Sequence, residues 1–122
     1  MNNILVIDDE DGILDSLRKV LTHLGYDVKV AHDGEEGIKL FDSDCTVDLV
    51  ITGICMPRMD GNAVARYIRC SDRSNTPMVA MSGSTEHSIN RELFDFSLMK
   101  PFKLKSLLDA ISTFEKNFMM RG

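Results

Sequence analysis

The stretch Asp48-Leu-Val-Ile-Thr-Gly-Ile-Cys-Met-Pro-Arg-Met-Asp-Gly61 reads as a strand, a loop and the entry to a helix, in that order. Residues 49–52 form a short unbroken β-type run, the pattern of a parallel strand covered on both faces. Gly53 follows at the carboxyl end of the run. Asp60-Gly61 predicts a structural turn, because glycine tolerates positive φ. Val64 and Ile68 mark the helix that starts from it.

The same unit recurs in both directions along the chain. Further β-type runs at residues 4–7, 28–31, 78–82 and 97–99 alternate with helical patterns. Ile13, Leu14, Leu17, Val20, Leu21 and Leu24 recur at helical spacing, and Gly25 supplies a stop. Asp33 with Glu36 three residues later predicts a capping box for a helix ending near Phe41. Leu104, Leu107, Leu108, Ile111, Phe114 and Phe118 form one stripe of a last helix. After Ser82 the pattern is weaker, and Ile89 and Leu93 suggest only a short helix. Five successive βα units imply an α/β fold whose parallel sheet carries helices on both faces.

The 122 residues suit one domain with one core. A net charge of −5 and the absence of an Arg/Lys stripe interleaved with aromatics argue against direct binding to nucleic acid or an anionic membrane. Cys45, Cys55 and Cys70 are odd in number and form no CxxC pair, while His23, His32 and His87 are scattered. Neither a disulfide framework nor a zinc site is expected, and a reducing cytoplasm fits. The apolar run Ile4-Leu5-Val6-Ile7 is short and ends in acids, so no signal peptide is expected, and no run reaches transmembrane length.

Ligand sites in open α/β sheets lie beyond the carboxyl ends of the strands. Four such ends carry candidate groups: Asp8 and Asp9 after the first strand, Gly53 after the third, Ser82 at the end of the fourth, and Lys100 after the fifth. Each also has a plainer reading. Acids at positions 8–11 would favour the positive end of the first helix, by about 0.3–1 kcal/mol each. Ser82-Gly83 would serve as a turn or cap, and a lone lysine is usually solvated.

Together, in order, these groups resemble a known family. Val6-Ile7-Asp8-Asp9-Glu10, the run from Asp48 to Gly61 with Met56-Pro57-x-Met59-Asp60-Gly61, Ser82-Gly83 and Lys100-Pro101-Phe102 resemble the motifs of the response regulator receiver domain of bacterial two-component systems. The resemblance covers essentially the whole chain, residues 1–122, as a single receiver domain. It implies a flavodoxin-like (βα)5 fold with strand order 2-1-3-4-5, of which a chemotaxis receiver is a standard instance. It implies that Asp8, Asp9 and the backbone carbonyl of Cys55 help hold Mg²⁺, that Ser82, Lys100 and Ser97 mark the phosphate and switch pocket, and that the Lys100-Pro101 bond is cis.

The chain departs from the family at three places. At position 53 the family has the phosphoacceptor aspartate, whereas glycine has no side chain to accept a phosphoryl group. Thr52 points to the opposite face, and Ser82 lacks a neighbouring base to activate it. Removing that carboxylate should also weaken Mg²⁺ binding and let Lys100 lean toward Asp8 or Asp9. Ser97 stands where the family has an aromatic switch residue, with Phe96 one place earlier on the other face. Ser82 and Lys100 are only 18 positions apart, which predicts a short or displaced fourth helix.

The resemblance therefore implies a phosphorelay signalling module, not an enzyme, that is phosphorylation-independent and acts through protein contacts as a monomer or weak dimer. Its partners would be a histidine kinase, a phosphotransfer protein, another receiver or an output domain. The face of the fourth helix, fifth strand and last helix is the usual contact surface, flanked here by Lys103, Lys105, Lys116 and Arg121. Two other readings stay open. One is a conventional phosphoacceptor regulator, if Gly53 replaces a parental aspartate. The other is a Mg²⁺-dependent phosphotransfer enzyme, which would also need the missing nucleophile.

Overall fold

The strands whose side chains are buried throughout occupy the middle of one parallel sheet. These are β3 (Leu49–Gly53) and β4 (Met78–Ser82), with β1 (Asn3–Ile7) buried from Ile4 onward. The more exposed β2 (Asp27–Ala31) and β5 (Phe96–Met99) form the two edges. The order is β2-β1-β3-β4-β5 with every pairing parallel, as the family resemblance implies. This computed structural model describes residues 2–83 and 89–120, with side chains of the last helix given through Lys116.

Among the described residues four α-helices cover the sheet: α1 (Asp11–His23), α2 (Gly34–Ser43), α3 (Gly61–Arg69) and α4 (Leu104–Met120). On one face Ile4, Val6, Ile51, Val79 and Met81 pack with Leu14, Leu17 and Leu21 of α1 and Leu107, Ile111 and Phe114 of α4. On the other, Leu5, Ile7, Val50 and Met78 pack with Phe41 of α2 and Val64, Ala65 and Ile68 of α3. The period-2 alternation of the strands thus divides one apolar run between two cores. Among the described residues no helix is long and apolar enough to cross a membrane.

Helix ends show which local signals were sound. Gly25, at φ 99°, ends α1, so Leu24 falls off the buried stripe and is exposed. Asp33 caps α2 by accepting from the Glu36 N–H at 2.8 Å, while the Glu36 carboxylate accepts from the His32 N–H at 3.3 Å. The reciprocal half of the capping box has therefore slipped back by one residue. Leu104 at the start of α4 is also exposed, and the side chain of Phe118 lies outside the described residues.

Asp60 caps α3 by accepting from the Ala63 N–H at 2.8 Å. The reason for Gly61 differs from the one expected. Its φ is not positive; the positive φ in this loop belongs to Arg58, at 68°. A Cβ on Gly61 would strike the Gly53 carbonyl oxygen and come within 2.9 Å of Ile54 Cα. Glycine is needed here for close approach, and the Gly61 N–H donates to the Ile54 carbonyl at 2.8 Å.

Between β4 and β5 the described residues contain one 3-10 turn, Arg91–Leu93, in place of a fourth α-helix. Ile89 lies before this turn, and residues 84–88 lie outside the described set. The turn is fastened to α3. The Asn90 N–H donates to Asn62 Oδ1 at 2.9 Å, and Arg69 Nε donates to the Leu93 carbonyl at 3.0 Å. The same guanidinium reaches the Ser74 and Thr76 carbonyls, both at 2.7 Å, and Asp95 Oδ2 at 3.1 Å.

Candidate functional site

Strand register brings the candidate groups to one edge. Ile7 is level with Thr52, Gly53 with Met81, and Ser82 with Met99, so Asp8, Gly53, Ser82 and Lys100 converge where their strands end. Asp8 is held there by its N–H on the Ala31 carbonyl, 3.1 Å. The Lys100 N–H donates to the Ser82 carbonyl at 2.6 Å, and the Lys100-Pro101 bond is cis.

Asp8 is completely buried, and both of its oxygens are engaged. Oδ1 accepts from the Glu10 N–H at 2.9 Å, and Oδ2 accepts from Lys100 Nζ at 2.9 Å. Lys100 Nζ also donates to Glu10 Oε1 at 3.1 Å. The ammonium therefore leans toward Asp8, one of its two expected partners, but its second carboxylate is Glu10 and not Asp9. Glu10 is the residue that motif matching passed over. Its only sequence signal was its place beside the acidic pair.

Gly53 is buried against this pair. A Cβ built on it would lie 2.6 Å from Asp8 Oδ2 and 3.2 Å from Asp8 Cγ. The Asp8 carboxylate thus fills the first volume that any side chain at position 53 would require. Thr52, on the other side of the strand, is buried and donates its hydroxyl to the Gly53 carbonyl at 2.9 Å. Gly53→Ala is expected to lower stability by about 1–3 kcal/mol, because even one methyl group must push Asp8 off its hydrogen-bonding position. Urea denaturation of the two proteins checks this.

The charges are strongly coupled. Burial pulls the Asp8 carboxyl above its ordinary range, partly countered by the Lys100 hydrogen bond, the Glu10 N–H and the lysine's charge. For Lys100, burial alone would favour the neutral amine, but the hydrogen bonds and charges of Asp8 and Glu10 outweigh it and hold the pKa above its usual value. Both results fit one picture: a carboxylate in a poor solvent whose nearest compensation is a single ammonium.

The remaining candidates do not all join the pair. Asp9 is exposed and makes no hydrogen bond or ion pair among the described residues, and the Cys55 side chain is exposed in the β3–α3 loop. Ser82 is 5% exposed, and its hydroxyl has no hydrogen-bond partner among the described residues. Ser97 is turned to other work: its Oγ accepts from Arg91 Nη1 at 2.8 Å. Phe96 instead meets Phe114 of α4 edge to face, with ring centroids 5.3 Å apart, on the opposite side of the strand.

Mg²⁺ requires a near-octahedral shell of oxygens, commonly one or two carboxylates with waters and phosphate. Here the buried carboxylate is already bonded to an ammonium and an amide, and position 53 offers no oxygen from a side chain. Among the described residues no group of three or more His, Cys, Asp or Glu side chains is placed to hold a metal. These residues do not fit a tightly held divalent ion.

Residues 4–112 match the family model described as response regulator receiver domain. The chain is 36% identical over 109 residues to the response regulator MprA of Mycobacterium ulcerans, an alignment covering 86% of this chain and 46% of the relative. The chain thus spans about half the length of the curated relatives it matches. Among solved structures, a response regulator receiver domain protein from Clostridium thermocellum superposes with a TM-score of 0.89 at 27% identity, over 100% of both chains. The response regulator TrrA from Thermotoga maritima, solved with Mg²⁺-BeF, gives 0.83 at 31% identity, over 93% of this chain and 99% of that one.

Proposed function

This chain belongs to the response regulator receiver domain family, and we propose that it signals through protein contacts without phosphorylation at position 53. The observation that carries the reading is Gly53 at the end of β3, whose neighbouring space holds the Asp8 carboxylate, at the position where the family resemblance implies a reactive carboxylate. An acyl phosphate forms when a carboxylate oxygen attacks phosphorus and the donor's own group departs. Glycine supplies no such oxygen. Thr52 faces away and is bonded to a backbone carbonyl.

In this reading residues 1–122 act as a single receiver module. Ser82 and Lys100 are what remains of a phosphate pocket, with Ser97 diverted to Arg91. Asp8, Asp9 and the Cys55 carbonyl retain the positions of a Mg²⁺ site whose affinity is weakened. The partners are a histidine kinase, a phosphotransfer protein, another receiver or an output domain, the last being consistent with relatives about twice as long. The three free cysteines suit a reducing cytoplasm.

The test is Gly53→Asp beside the present chain, each incubated with a small acyl-phosphate donor and Mg²⁺ and followed by intact mass spectrometry. The substituted protein is expected to gain one labile phosphoryl group and the present chain none. A donor-dependent acyl phosphate on the present chain would overturn the reading.

A further inference from the structure

We infer that Lys100 is the resident cation of this pocket: its ammonium permanently takes the place beside Asp8 that a divalent ion would otherwise compete for. The inference rests on the reading of the site as a receiver pocket without its acceptor, and it names what that pocket holds instead. A fully buried carboxylate needs a compensating charge. Asp8 has one such charge within bonding distance, Lys100 Nζ at 2.9 Å, and its other oxygen is occupied by the Glu10 N–H.

Gly53 decides the competition. A carboxylate at position 53 would give the ammonium another anionic partner and leave Asp8 an oxygen for a metal. Without it, the ammonium's partners are Asp8 and, at 3.1 Å, Glu10. A divalent ion entering at Asp8 would have to break the 2.9 Å bond and then share one buried anion with a displaced cation. Asp9, exposed and unpaired among the described residues, is a single accessible carboxylate and adds little to such a site. The lysine is also tethered just after β5, so its local concentration is fixed by the fold, whereas a free ion must be drawn from solution. The buried charge of Asp8 is consequently compensated whatever the divalent cation level, a property suited to a module whose contacts stay constant.

The experiment uses Mg²⁺ alone for stability and Mn²⁺ alone as a paramagnetic probe, on the full chain and on Lys100→Met and Lys100→Gln. In the present chain, Mn²⁺ should leave the amide signals of Asp8, Glu10 and Gly53 unbroadened, and Mg²⁺ should change the folded-to-unfolded ratio by less than about twofold. In either variant the same signals should broaden. The ratio should rise about tenfold once Mg²⁺ stands at about ten times its dissociation constant. Saturable broadening at Asp8 in the present chain would overturn the inference, and that measurement needs no variant to fold. Absence of any gain in a folded Lys100→Met or Lys100→Gln would overturn it too, since the ammonium would then not be what excludes the ion. Neither failure touches the acceptor argument, which the phosphodonor experiment on Gly53→Asp decides separately.

Discussion

Lys100→Met is expected to lower the free energy of unfolding by about 3–5 kcal/mol at neutral pH, the range for removing one partner of a buried ion pair. The cost comes less from the lost bond than from what remains. Asp8 has no exposure to water, and only the Glu10 N–H would still support its charge. Asp8→Asn/Lys100→Met should recover most of the loss, because replacing both charges removes the uncompensated ion. A double-mutant cycle by urea denaturation measures the coupling directly.

The pH dependence has a definite sign. A carboxyl raised in the folded state binds its proton more tightly there than in the unfolded chain. Ionised Asp8 therefore counts against folding at neutral pH, and the deficit shrinks as pH falls through its raised value toward 3.8. In Lys100→Met that recovery in acid should be larger than in the present chain. Lys100, also raised, contributes stability that is fully present below 10.5 and is lost as pH climbs through its folded value. The variant should lack this alkaline limb.

Gly61→Ala is the second large effect, with an expected loss of about 3 kcal/mol or more, at the upper end for overpacking. Two of the atoms that its Cβ would meet are main-chain atoms, the Gly53 oxygen and Ile54 Cα. No rotamer change can relieve them. Moving them would disturb the Gly53–Met81 register and the 3.1 Å bond from the Ile54 N–H to the Met81 carbonyl. The damage should therefore spread from α3 into the floor of the pocket, seen as shifted amide signals at Gly53 and Asp8. Gly12→Ala is the contrasting control. A Cβ there meets nothing within 4 Å, and no loss is expected.

The strands and their parallel character were legible because a strand buried on both faces reads as an unbroken apolar run, whereas their order came from the family resemblance. Three of them, β1, β3 and β4, keep that character almost to their ends. The stripe of α1 and the Asp33 cap were legible for a similar reason: each is set by neighbours within one or two turns. Gly61 was assigned correctly to a helix entry but for the wrong cause, since local φ preference can be guessed from a dipeptide and contact with a distant strand cannot. The convergence of Asp8, Gly53, Ser82 and Lys100 followed from topology.

Their bonding did not follow so directly. Whether Lys100 would choose Asp9 or Glu10 as its second carboxylate depends on side-chain reach across the loop after β1, which no motif encodes. Ser97 could be seen to lack an aromatic ring, while its bond to Arg91 arises from the path of the shortened β4–β5 connection.

One guanidinium, Arg69, joins the exit of α3, the 3-10 turn and the first residue before β5, and Asn62 pins the same turn near the opposite end of α3. In mechanical terms residues 90–95 are riveted along the helix instead of hinged beside it. A protein gripping this side of the molecule would load α3 along its length, and with it the Gly61 seat that supports the end of β3.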